Sequence, residues 1–227
     1  MVTHAPWEAV PGLRHGFLGR PACAGADAWE PVVARAAGLA LPVRTARQVH
    51  GARVVDAAAC VARPEADAVV VGEAGVLVGV VTADCVPALL VAPRRRVAAA
   101  VHAGWRGAAA GVLDAAVAEL GARFGIEPGE LRACLGPSVG PCCYQVDAPV
   151  RDAFASRPGD PARDAFRPDV PGRWRLDVRA AARALLAAAG VADVHDIGPC
   201  TACDAGFCSV RRDGPGAGRQ LSFVGWT

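Results

Sequence analysis

Apolar and polar positions along this chain fall into two patterns. Val76–Val81 (VLVGVV) and Val97–Val101 (VAAAV) are short, valine-rich apolar runs, each ending in a polar cluster, and they predict strands. Leu131–Leu135 (LRACL) predicts another, running into the turn-rich stretch Gly136–Pro141, and Val194–Ile197, Ser209–Arg212 and Leu221–Val224 predict later strands. Helical spacing governs Ala108–Phe124, through Val112, Ala116 and Leu120, and stops at Gly125. Leu176–Gly190 predicts a second, alanine-rich amphipathic helix. Ser156–Arg173, rich in proline, glycine and charge, predicts a surface loop. Strands alternating with helices, without an internal repeat, give an α+β (mixed α/β) chain forming a single domain over residues 1–227.

Composition narrows the chemistry. No apolar run reaches the roughly 18–20 residues of a membrane span. Met1–Glu8 lacks the basic start and apolar stretch of a secretory signal, so a cytoplasmic location without a membrane partner is expected. A net charge of +2 makes no electrostatic case for nucleic acid. Nine cysteines at irregular spacing suggest thiols or metal ligands rather than a disulfide framework. There is no lysine and no asparagine. Schiff-base chemistry, a P-loop lysine and a Cys-His-Asn triad are thereby excluded.

Three segments place a metal-ligand type directly after an apolar stretch: Thr45–Gly51 with His50, Thr82–Cys85 with Cys85, and Val101–Gly107 with His102. Ligands at neighbouring strand ends can converge although they lie 35 and 17 residues apart in sequence. Two imidazoles and a thiolate suit zinc and leave a fourth position open, although copper is accepted by the same set in vitro. Taken singly, a histidine at a strand end can equally be a hydrogen-bonded structural residue, and Cys85 an inert thiol. A helix starting near Gly107 would aim its free N–H groups at this region beside Arg106, a combination that favours phosphate.

The motifs QVHG, TADCVPALL, VHAGWRG, GPSVGPCCYQV, CTACDAGFCSVRR and GRQLSFV occur in this order, and from about His15 onward the chain resembles one bacterial family. It is the family called purine nucleoside phosphorylase, laccase-domain protein, multicopper polyphenol oxidase or peptidoglycan editing factor. The resemblance implies a β-sandwich-like core of mixed sheets flanked by helices, and a metal, usually zinc, on His50, Cys85 and His102. The chain departs from the family pattern at Arg20–Gly25, at Gln145 in place of glutamate, and at Cys208 in place of an aromatic.

The same resemblance implies a zinc-dependent enzyme that phosphorolyses adenosine, inosine, guanosine and methylthioadenosine and deaminates adenosine at the same site. Its rival is a peptidoglycan-precursor editing amidase that removes L-serine from a UDP-linked muramic acid. A non-catalytic metal module would instead close the metal with a fourth protein ligand. Polyphenol oxidation by a mononuclear and a trinuclear copper centre needs far more histidines than the five present, and Met1 is the only methionine. The zinc deaminase signature fails too, because no histidine is followed two positions on by glutamate.

Arg106, assisted by Arg44 or Arg47, is the candidate phosphate group, with Gln48 and Arg211 as further substrate contacts and Arg212 at the same mouth. Asp84 is a candidate base, a partner for a ligand histidine, or a turn-capping carboxylate. Trp105 could stack on a purine or wedge into the core. Adjacent Cys142 and Cys143 rarely share one tetrahedral metal, and only one C-x-x-C is present, so these, Cys200, Cys203 and Cys208 are expected to be separate thiols. Small-molecule substrates, and a monomer or homodimer, complete the expectation.

Overall fold

The computed structural model describes residues 1–23 and 28–227. Strands alternate two buried faces. In Val97–Ala103, Ala99, Val101 and Ala103 face one core while Ala98 and Ala100 face another. The neighbouring strand Val86–Ala92 divides in the same way, which is why both read as unbroken apolar runs. They lie at the centre of a six-stranded sheet ordered Asp193–Asp196, Arg132–Leu135, Val86–Ala92, Val97–Ala103, Ala68–Val71, Val54–Asp56. One face is covered by the helices Val112–Phe124 and Val178–Ala188, through Leu113, Leu120, Leu185 and Leu186.

The other face packs on a four-stranded sheet ordered Leu13–Phe17, Gln220–Trp226, Val76–Thr82, Val43–Arg44. Val78, Val80, Val224 and Trp226 meet Val69, Val71, Leu89 and Ala100 between the sheets. Leu77, Leu221 and Phe223 point outward against the helix Glu30–Ala37. The sandwich is therefore flanked by helices on both sides. A small sheet of Phe166–Pro168, Arg173–Leu176 and Gln145–Asp147 completes the chain.

Three expectations change. Ser209–Arg212 is not a strand: Ser209 caps a helical turn, Val210–Asp213, by accepting the Arg212 N–H. Ser156–Arg173 is more than a loop, because Phe166 opens a strand and stacks edge-on against Phe154, with Ala162 and Ala165 buried beside it. The Ala108–Phe124 helix begins earlier, at Trp105, and breaks at Gly111, whose left-handed backbone (φ 93°) ends one helix and starts the next. Of the departure at Arg20–Gly25, Arg20–Cys23 is a helical turn, and Ala24 and Gly25 lie outside the described residues.

Gly136 shows how tightly the two sheets meet. Its N–H bonds the Pro87 carbonyl, and a Cβ there would sit inside the Phe17 ring. Gly136→Ala is expected to lose about 1–3 kcal/mol of unfolding free energy by overpacking, read from denaturant titration.

Candidate metal centre

His102 takes its position from the strand it ends. It lies opposite Pro87 and shares parity with Ala98 and Ala100, so its ring points into the seam between the sheets, where it is buried. There its Nδ1 meets Asp67 Oδ1 at 2.8 Å, and Asp67 is itself wholly buried. The Asp67 carboxylate also accepts the backbone N–H groups of Val49 (3.2 Å), His50 (2.9 Å) and Gly51 (2.7 Å). Three consecutive donors converge on one carboxylate because His50 holds a left-handed backbone, φ 61°. One buried anion thus fixes the His102 ring and the loop that carries His50.

Cys85 sits at the bend between Val76–Thr82 and Val86–Ala92, directly before Val86, which pairs with Ala103 beside His102. Its Sγ is 4.0 Å from His50 Nε2, and the His50 and His102 rings meet edge-on with centroids 4.8 Å apart. One ligand atom from each of the three lies within 4.8 Å of the others. Metal–ligand bonds of about 2.0–2.3 Å need such close spacing. With Nδ1 committed to Asp67, His102 presents Nε2, the arrangement of a metal-ligating histidine backed by a carboxylate. The residues fit zinc, and an imidazole-thiolate set would accept copper too.

The charges are coupled. Burial pushes the Cys85 thiol up, but the His102 and His50 imidazoles outweigh it and bring it down to about 6. Burial likewise pushes His102 down, while Asp67 and Cys85 lift it to about 9. Burial opposes the Asp67 charge, yet His102 and the Gly51 and Val49 N–H groups hold its carboxyl below the usual range. Without metal, the centre is a thiolate–imidazolium pair at neutral pH.

A cavity of about 800 Å³ opens on these residues. Its lining brings together Arg47, Gln48, Asp84, Trp105, Arg106 and Arg211 of the sequence-predicted set, and leaves out two. Arg44 lines separate clefts beside Glu30 and Arg63, because it lies in the edge strand Val43–Arg44. Arg212 turns inward, donating to the carbonyls of Thr201, Asp204 and Phe207.

The gathered residues differ in freedom. Gln48 spends its amide on the Val81 backbone, at 2.7 Å in both directions, and Arg47 pairs with Glu65. The Arg106 guanidinium lies over the Trp105 ring at 4.4 Å, and Arg211 over Tyr144 at 5.2 Å. Asp84, in a left-handed conformation (φ 88°), accepts the Thr201 hydroxyl and the Arg211 N–H, each at 2.7 Å. Asp84 therefore holds the C-terminal wall, and the carboxylate beside a ligand histidine is Asp67.

Sequence reasoning missed Asp67, Tyr144, Arg63 and Arg219, which position a ligand or line the cavity. An aspartate directly before the apolar run 68–71 was the available signal for Asp67. The cysteines expected to be thiols are free, and four of them gather. Cys142, Cys143, Cys200 and Cys203 offer sulfurs within 4.8 Å of one another, because a bridge between Ser138 and Cys200 joins their two segments. Cys208 stays apart, buried beside Gln220.

A sequence model of the family described as multi-copper polyphenol oxidoreductase laccase matches residues 30–227. Purine nucleoside phosphorylase YlmD of Geobacillus stearothermophilus is 40% identical over 173 residues, which is 72% of this chain and 62% of that protein. A purine nucleoside phosphorylase of Pseudomonas aeruginosa is 46% identical over 181 residues, 78% of this chain and 71% of its own. Adenosine deaminase RL5, from an unknown prokaryote, is 36% identical over 70% of this chain and 61% of its own length. The chain thus spans only part of each relative. The crystal structure of the Bacillus licheniformis hypothetical protein YfiH superposes with a TM-score of 0.85 at 26% identity, covering 95% of this chain and 93% of that one.

Two outcomes follow for the metal. Between about pH 6 and 9, zinc binding must displace the His102 proton while Cys85 is already a thiolate. Calorimetry in buffers of different ionisation enthalpy is therefore expected to find at least one proton released per ion at neutral pH. Affinity falls as pH drops, and more steeply below about 6, where Cys85 binds a proton too. A Cβ on Gly104 would stand 2.9 Å from Cys85 Sγ and 3.1 Å from His50 Cδ2. Gly104→Ala is expected to lower metal occupancy while circular dichroism stays unchanged.

Proposed function

This chain belongs to the multi-copper polyphenol oxidoreductase laccase family, and from that premise we propose that it is a zinc-dependent purine nucleoside enzyme, a phosphorylase that also deaminates adenosine. One observation carries the reading: among the described residues the His50–Cys85–His102 group has three members, and it adjoins a large cavity rich in arginine. An open centre beside cations suits a reaction that consumes an anion. The names of the nucleoside phosphorylase and adenosine deaminase relatives support the same direction.

The family name invites copper oxidation, and the histidines argue against it. His4, His15 and His195 gather elsewhere, with the His4 and His195 rings 4.5 Å apart and His15 Nε2 accepting the His4 N–H. Met1 packs against Gly16, so the chain's one methionine is no axial ligand.

In phosphorolysis a phosphate oxygen bonds to the sugar C1′, the C1′–N9 bond breaks, and the departing purine takes up its electron pair and a proton. Arg106 and Arg211 hold the phosphate; both are fixed in orientation by stacking on Trp105 and Tyr144. Burial pushes the Tyr144 phenol up to about 12, so it stays protonated and can donate to the leaving base. Among the described residues Asp84 is the one carboxylate in the lining, and each of its oxygens retains a lone pair beyond its hydrogen bond. It can accept the proton of a water whose oxygen bonds to adenine C6 and pass it to the exocyclic amine, which leaves as ammonia when the C6–N bond breaks. Asp67 keeps His102 in the ligating tautomer. When bound, zinc supplies a Lewis acid that polarises water or an oxygen of the anion.

The test is product analysis of metal-quantified protein given adenosine, with and without phosphate. Phosphate-dependent adenine, or inosine, is expected from the wild type and absent in His50→Ala. Arg106→Ala should raise the phosphate KM about 10- to 100-fold with metal retained, the worth of a charged hydrogen bond. Serine release from a UDP-muramoyl-L-serine substrate, with nucleosides inert, would replace this reading by cell-wall precursor editing.

A further inference from the structure

Outside the cavity, the densest cluster of ligand-type side chains is the set of four thiols. Cys142 and Cys143 follow Pro141 on one turn, and Cys200 and Cys203 open and close another. Cys203 Sγ lies 3.6 Å from Cys142 Sγ and 3.4 Å from Cys143 Sγ, and one sulfur from each of the four falls within 4.8 Å of the rest. A tetrahedron of zinc–sulfur bonds of about 2.3 Å has edges of about 3.8 Å. The spacing is that of a thiolate cage, and all four cysteines are free.

One backbone donor and one cation lie against the cluster. The Gly140 N–H donates to Cys200 Sγ at 3.1 Å. The backbone approaches closely there: a Cβ on Gly140 would lie 3.2 Å from Cys200 Cβ and 3.3 Å from Cys142 Sγ, and the cluster would have to give by a few tenths of an ångström. Arg175 reaches the Cys142 carbonyl at 3.2 Å, placing a cation beside the turn. Among the described residues no carboxylate or histidine belongs to the group. Four soft donors without oxygen ligands select a thiophilic ion of zinc type over magnesium or calcium.

We propose that Cys142, Cys143, Cys200 and Cys203 form a second, structural metal site that binds one zinc-class divalent ion in a closed tetrahedral cage. The thiol protons leave to solvent as the four metal–sulfur bonds form, and no electron is transferred. The cage would clamp two segments that form the cavity wall. Tyr144 follows Cys143 directly, and Thr201, next to Cys200, donates to Asp84. Asp84 in turn holds the Arg211 N–H. The metal thereby fixes Tyr144 and Arg211 without touching substrate.

The experiment uses the full chain purified under reducing, anaerobic conditions from zinc-supplemented cells, with metal counted per chain by mass spectrometry. Two zinc ions are expected in the wild type. Cys203→Ser should lose one, and His50→Ala should lose the other. The ion remaining in His50→Ala, exchanged for cobalt, should give the intense sulfur-to-metal charge-transfer absorption of four thiolates. Cys142 and Cys203 are exposed, so in wild-type protein they should resist a thiol reagent until a chelator is added. That measurement needs no variant. If the first centre holds no zinc, the count falls to one and that ion still disappears in Cys203→Ser, so the two readings fail separately. Immediate reaction of Cys142 and Cys203 in zinc-loaded wild type overturns the proposal. So does a disulfide from Cys203 to Cys142 or Cys143 in freshly prepared protein.

Discussion

The site depends on a single buried carboxylate. Asp67 has no exposed surface, and an unpaired charge in that position would cost several kcal/mol. It is stabilised only when the Val49–Gly51 loop turns three N–H groups inward and His102 brings its ring alongside. The backbone adds a further tie, since the Asp67 carbonyl accepts the His102 N–H at 2.7 Å. Satisfying one anion therefore brings together two candidate metal ligands from distant parts of the chain. The third, Cys85, arrives through the pairing of Val86 with Ala103.

Space is as tightly allotted as charge. The VHAGWRG stretch combines a ligand, a turn and a helix start because both of its glycines are needed for close approach. Gly104 leaves room for the Cys85 and His50 side chains, and Gly107 for the Gly51 carbonyl, which a Cβ would meet at 2.8 Å. The helix then places Trp105 and Arg106 at the cavity in its first turn. Arg47, Arg63, Arg106, Arg211 and Arg219 line that cavity, and a planar guanidinium can meet two oxygens of an anionic substrate at once.

The sandwich was legible in part: Val76–Val81 and Val97–Val101 leave no polar alternation to misread, while Val86–Ala92 and Ala68–Val71, buried on both faces as well, were not read as strands. The convergence of His50, Cys85 and His102 was legible because each sits in a distinctive motif. Asp67 was not, since nothing local distinguishes a keystone carboxylate from any acid preceding a strand. The cysteine cluster was hidden for a related reason: the bridge between Ser138 and Cys200 joins segments far apart in sequence, and spacing along the chain carries no trace of it. Ser209–Arg212 misled because its valine suits a strand, whereas here the serine hydroxyl caps a helical turn. In Ser156–Arg173, proline and glycine masked Phe166, whose packing on Phe154 is a tertiary effect.

The strand Gln220–Trp226 lies inside its sheet, between Leu13–Phe17 and Val76–Thr82. During synthesis both of those neighbours leave the ribosome long before the strand that joins them. The three candidate metal ligands are likewise translated before Arg211 and before the strand that closes the sandwich. Until then Val78 and Val80 and the facing positions of the six-stranded sheet have no complete partner layer. The growing chain is an aggregation risk that a chaperone would have to shield, and closure is a late, long-range event of the kind that slows folding.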